Sequence, residues 1–323
     1  MKRESNHVNI LCLCVLLAAF AFPATVVSAG PLKVFILAGQ SNMEGQGEIT
    51  DGAQGNLQYM YDHDTDGTYA HLKGAGDWVL RDDVWIYYLR GGTTLIKGGL
   101  TVGMGAANDT IGPELQFGHV MGDYYNDQVL LIKTAWGGKS LAVDFRPPSS
   151  GGTVGPYYTE MMSIVADVLD NLSTHFPAYG GQGYEIIGFG WHQGWNDRIN
   201  QTYNHQYEYN MANFIRDIRS SEHGLGIPNL PFVIATTGMS GWGETHPRAL
   251  SLMAAQLAME DFEKYPEFEG NVAVDDTRDY WRPAAESPAD QGYHWNRNAE
   301  TYFLIGNGLA VEMIDLIDKD API

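Results

Sequence analysis

The chain has 323 residues, is 44% hydrophobic and carries a formal charge of −20 at pH 7. That length buries a sizeable core without covalent staples. So acidic a chain is excluded as a general binder of nucleic acid or anionic membrane, because phosphate recognition needs clustered Lys and Arg.

In chain order, Lys2 and Arg3, the apolar run Ile10 to Phe22 and the small residues Val27-Ser28-Ala29 predict a secretory signal peptide over residues 1–29, cleaved after Ala29. The run is short for a membrane span. The mature chain is therefore expected to be secreted or periplasmic, with no membrane partner after cleavage. Cys12 and Cys14 leave with the signal, which excludes disulfides, Cys-ligated metals and a thiol nucleophile from the rest. Residues 30–323 read as one domain.

Five short apolar runs, Leu32 to Ala38, Gln128 to Ala135, Tyr184 to Gly190, Pro231 to Thr236 and Asn271 to Asp275, predict buried strands. Apolar residues at helical spacing fill Pro113 to Tyr125, Tyr157 to Phe176, Tyr203 to Ser220 and Pro247 to Lys264, and a last helix covers about Asn298 to Asp318. Strands alternating with helices predict a three-layer α/β/α domain around a five-stranded, mostly parallel sheet. Residues 45–112, rich in Gly and Asp, read as an insertion after the first strand, with a hairpin around Val84 to Leu89.

Ligands of open parallel sheets sit beyond the carboxyl ends of the strands. Three strands run there into Gly39-Gln40-Ser41-Asn42-Met43, Trp136-Gly137-Gly138-Lys139-Ser140 and Trp191-His192-Gln193-Gly194-Trp195-Asn196-Asp197, and a late loop carries Tyr293-His294-Trp295-Asn296. A serine hydroxyl becomes a nucleophile only beside a base. A strand, a Gly-flanked turn and a helix start would expose the Ser41 hydroxyl and aim N–H groups at developing negative charge. Local sequence equally allows Ser41 to be a structural helix cap.

Lys33 to Met43 closely resembles the opening block of the sialate O-acetylesterase and carbohydrate esterase family 6 branch of the SGNH hydrolases. Gly137-Gly138-Lys139-Ser140-Leu141, Trp191-His192-Gln193-Gly194 and the late His294 match the same branch in order. The resemblance implies a flavodoxin-like SGNH fold with no cofactor, Ser41 as nucleophile and His294 as general base. It implies an oxyanion hole from the Ser41 N–H, the Gly138 N–H and a side-chain amide, with Gln193 preferred and Asn196, from the literal Gly194-x-Asn196-Asp197 pattern, as the alternative. The implied activity is removal of O-acetyl groups from a carbohydrate of the sialate or acetylxylan type.

The chain departs from the family where an acid should orient the histidine, since Gln291 and Trp195 occupy the usual positions. Asp290, Asp197, or a Ser-His dyad held by a backbone carbonyl or Gln291, stay open. Gln40, Arg146, Trp191, His192 and Trp295 stand beside the blocks as candidate substrate contacts, with Trp136, Trp195 and Tyr293 adding an aromatic rim suited to sugar rings. Asp62 to Gly67 opens like a calcium loop, but Lys73 occupies the twelfth position, so an acidic turn is expected and no metal. Two rival readings remain: a non-catalytic glycan-binding relative, and a lipid or short-chain acyl esterase on the same fold.

Overall fold

The computed structural model describes residues 30–50 and 52–320. The expected signal peptide, residues 1–29, lies outside the described residues. A seven-stranded sheet forms the centre. Its strands are β1 (Leu32–Gly39), β2 (Arg81–Arg90), β3 (Thr94–Leu100), β4 (Val129–Ala135), β5 (Tyr184–His192), β6 (Phe232–Ala235) and β7 (Val272–Asp275). The order across the sheet is β7-β6-β5-β1-β4-β2-β3, parallel throughout except for β3, which returns antiparallel to β2.

The expected count of five strands is corrected to seven. The hairpin of the insertion does not stand apart: β2 pairs in parallel with β4, and β3 becomes the edge. The cause lies in the side chains of β2. Val84, Ile86 and Tyr88 bury on one face, while Trp85, Tyr87 and Leu89 pack on the other. A strand apolar on both faces has to be covered on both sides.

The same two-sidedness builds the layers. Val34 and Ile36 of β1 point to one face, against helices α3 (Pro156–Asp170), the short α4 (Leu172–His175), α5 (Gln201–Arg219) and α6 (Pro247–Leu257). Phe35 and Leu37 point to the other, against α2 (Glu114–Tyr124) and α7 (Ala299–Asp320). Each fully buried Leu, Ile or Phe contributes about 1.5–3 kcal/mol. α2 and α7 cross closely because Gly306 leaves room for the Pro113 carbonyl, which a Cβ there would meet at 2.3 Å.

Register decides where the site lies. Gly39, the last residue of β1, stands opposite Ala135 of β4 on one side and His192 of β5 on the other. Three strands thus end level, and the three polar blocks emerge side by side at one carboxyl edge.

Candidate active site

The chain turns sharply where β1 ends. A Cβ at Gly39 would lie 2.2 Å from the His192 carbonyl oxygen, so only glycine lets β1 and β5 stay this close. Ser41 then opens α1 (Ser41–Glu44), a single turn whose cap position is Gln40. The helix-cap reading of Ser41 is therefore corrected: Ser41 lies inside the turn, and its hydroxyl makes no hydrogen bond among the described residues. Four residues carry little macrodipole, so the aim of individual N–H groups matters more here than a helix field.

Beside Ser41 lies the second block. Gly137 and Gly138 are exposed at the mouth, and a Cβ at Gly137 would sit 3.8 Å from that of Ser41. Gly138 holds φ at +71°, a left-handed conformation that glycine adopts without steric cost. The Glu44 carboxylate approaches from beneath. Burial raises its pKa, while the Tyr88 hydroxyl (3.1 Å) and the Gly137 N–H pull it back down.

The third block separates two amides that look alike in sequence. Gln193 is fully buried, and its Nε2 donates to Asp197 Oδ2 at 2.6 Å and to the Lys139 carbonyl at 2.9 Å. Both amide hydrogens are thereby committed to the interior. Asn196 is half-buried, with its Nδ2 2.6 Å from the Gly138 carbonyl and its Oδ1 accepting from Gln40 Nε2. One of its amide hydrogens remains at the mouth, beside Gly138.

His294 comes from the loop before α7. The loop is strained: Trp295, Asn296 and Arg297 hold φ at 52°, 54° and 59° in succession, each at a cost of roughly 1–2 kcal/mol for a non-glycine residue. Tethers hold it in place. Asn42, next to Ser41, donates to the Tyr293 carbonyl (3.2 Å), and the buried Tyr302 hydroxyl bridges Asn42 Oδ1 (3.0 Å) and the His294 carbonyl (3.3 Å). The histidine backbone is thus tied to the nucleophile turn, although Ser41 and the imidazole form no hydrogen bond. Catalytic hydrogen bonds often tighten only in the complex with substrate.

Neither candidate acid meets that ring. Asp290 is exposed. Asp197 is wholly buried and receives the Leu141 and Ala142 N–H groups and the Gln193 amide, with burial pushing its pKa up to about 6. It pins the second block to the third. The charged neighbour that acts on His294 is a cation, Arg297; burial first, and then that charge, draws the imidazole pKa down to about 4.

The expected substrate contacts also divide. Trp191, His192 and Trp295 are corrected from rim to core, each 0% exposed. β5 turns Trp191 into the helix side, and His192 Nδ1 donates to the Ala235 carbonyl (3.1 Å). Gln40 is buried too, its Oε1 accepting from Gly194 N (3.1 Å) and Asn196 N (3.3 Å), so it shapes the third loop. Arg146 is held by the Gly151 and Ala142 carbonyls. The exposed aromatics at this edge are Tyr293 and Trp242, with half-buried Trp195 packed 5.9 Å from Tyr293.

Residues 31–264 match the family model of carbohydrate esterases described as sialic acid-specific acetylesterases. The chain belongs to this carbohydrate O-acetylesterase family. The match covers the three blocks of the esterase and stops before His294. Among solved structures, an Arabidopsis thaliana protein aligns over 88% of this chain and 98% of its own, at 17% identity and a TM-score of 0.54. A carbohydrate acetylesterase from Xanthomonas citri aligns over 86% of this chain and 55% of its own, at 16% identity and a TM-score of 0.50. At such identities the likeness speaks for the fold. No curated protein matches significantly.

Sequence reasoning missed three residues of this esterase site. Glu44 sits three positions after Ser41, one helical turn on, a spacing that sets it against the same wall. Asn42 and Tyr302 are 260 positions apart, and no local pattern joins them.

Proposed function

We propose that this esterase removes O-acetyl groups from a glycan through an acetyl-enzyme on Ser41. The observation that carries the reading is a hydroxyl without internal partners, set at the carboxyl edge of the sheet beside an open, left-handed Gly138. Ser41 Oγ attacks the acetyl carbonyl carbon as His294 takes its proton. The Ser41 N–H, the Gly138 N–H and the outer Asn196 amide hydrogen receive the oxyanion. Collapse expels the sugar alkoxide, protonated by His294; a water deprotonated by the same imidazole then releases acetate. His294 works as the base of a dyad whose orientation comes from its tethered backbone. The acetyl preference is drawn from the family match, and secretion from the leader expected over residues 1–29.

Acetate release from acetylated xylo-oligosaccharides and an aryl acetate tests the reading; no release from either would sink it. The two amides give a sharper test. Asn196→Ala should lower kcat about 10²-fold with thermal stability kept, as for loss of one oxyanion donor. Gln193→Ala should instead lower the melting temperature, because Asp197 loses a buried donor. The reverse pattern would return the oxyanion role to Gln193.

The pH profile follows from His294. The base acts in its neutral form, which persists above its pKa, so activity should be level from neutral pH down to about 5. Below about 4 it should fall tenfold per pH unit. Arg297→Gln removes the smaller of the two causes that depress the imidazole, and the acid limb should move part of the way up from about 4 toward the ordinary histidine value near 6.5, burial holding back the rest. An unmoved limb would show that another group sets it.

A further inference from the structure

Next to the nucleophile turn the structure holds a cleft of about 440 Å³, lined by Gly91, Gly92, Trp136, Pro156, Tyr157 and Glu160. We propose that this cleft is a second sugar subsite, which takes a neutral pyranose unit of the same glycan chain that carries the scissile acetyl group. The proposal rests on the deacetylation reading above and adds the substrate class: a neutral oligosaccharide or polysaccharide, not a lone acidic sugar.

Position comes first. Trp136 leaves the end of β4 with its N–H on the Gly39 carbonyl (3.2 Å), and the next residue, Gly137, lies against Ser41. Tyr88 of β2 pairs with Lys133 of β4, so the β2–β3 hairpin tip at Gly91 and Gly92 rises at the same carboxyl edge. Cleft and nucleophile therefore share one wall. The volume falls in the range of small-ligand sites, about 300–1,000 Å³.

The lining matches one chemistry. The Trp136 and Tyr157 rings stand 5.1 Å apart at 61°; Trp136 is 7% exposed and Tyr157 half-buried, so the margins of the two rings, not their full faces, offer an angled apolar corner to the C–H groups of a sugar. The Trp136 indole nitrogen faces the hairpin tip, 3.9 Å from where a Gly92 Cβ would be, and has no acceptor among the described residues. Glu160, one helical turn along α3 from Tyr157, is exposed and makes no ion pair among the described residues. One donor and one acceptor flanking two rings suit hydroxyls on an apolar ring. The nearby cation is engaged elsewhere: Lys139 lies over Tyr157 (4.3 Å) and 3.8 Å from Asp144. The uncompensated charge on the cleft wall is negative, which disfavours a carboxylated sugar.

The test compares kcat/KM on monoacetylated xylotetraose, acetylated xylose, an O-acetylated sialic acid and an aryl acetate. Wild type should favour the tetraose over the monosaccharide about tenfold, through KM. Tyr157→Ala and the surface substitution Glu160→Gln should each lower the ratio of tetraose to aryl acetate activity, by roughly tenfold and threefold. Equal rates on tetraose and monosaccharide, an unchanged ratio in both variants, or preference for the sialic acid would each overturn the subsite. Failure to hydrolyse even the aryl acetate would instead strike the deacetylation reading itself.

Discussion

Ser41→Ala is expected to lower kcat for acetate release by about 10⁴-fold or more, leaving at most the residual rate that oxyanion donors and binding sustain without a nucleophile. The protein should fold as before. The Ser41 side chain makes no hydrogen bond among the described residues, so alanine leaves no buried partner stranded, and the turn is held by backbone bonds such as Gly45 N to Ser41 O (3.0 Å). Activity and thermal unfolding measured on one preparation decide the matter. A variant that keeps wild-type turnover would remove Ser41 from the mechanism. One that loses activity together with its melting transition would show a structural role instead.

Lys133→Met should be the most destabilising single change away from the mouth. Lys133 is buried on β4, and its ammonium donates to Glu114 Oε2 (2.7 Å), the Glu44 carbonyl (2.7 Å) and the Met104 carbonyl (3.2 Å). Burial lowers its pKa, and Glu114 opposes that shift. Removing one partner of such a pair leaves the other charge uncompensated in the core, at about 3–5 kcal/mol. For a domain of this size that is roughly 5 to 8 °C in Tm. Lys133→Met with Glu114→Gln should recover part of the loss, because the stranded carboxylate is gone, while the two carbonyls stay unpaired. A single variant that melts within about 2 °C of wild type would show that the pair is not a fastener. Because the Glu44 carbonyl ends the nucleophile turn, turnover should fall in the single variant even where it is still folded.

His294 shows how far local sequence reaches. Its place before the last helix is visible because Asn298 caps that helix, receiving the Thr301 N–H at 3.2 Å, and caps are short-range signals. What orients the imidazole is not visible, because the tethers from Asn42 and Tyr302 join chain ends through the core. Spacing offered Asp290 and Asp197 as orienting acids. The fold puts the first in solvent, and the second beneath the loops as a receiver of backbone N–H groups.

By itself the sequence determined the strand ends and the Gly-Gln-Ser turn, for a physical reason: apolar runs must bury, and a polar, glycine-rich block can only follow where the strand stops. It also held the evidence for β2, since Val84 to Leu89 is apolar at every position, a mark of a strand covered on both faces. Tertiary structure alone decided which amide faces the mouth, which tryptophans are core, and which charge neighbours the base. Those choices depend on how three loops from level strand ends meet, and the register of β1 between β4 and β5 sets that meeting.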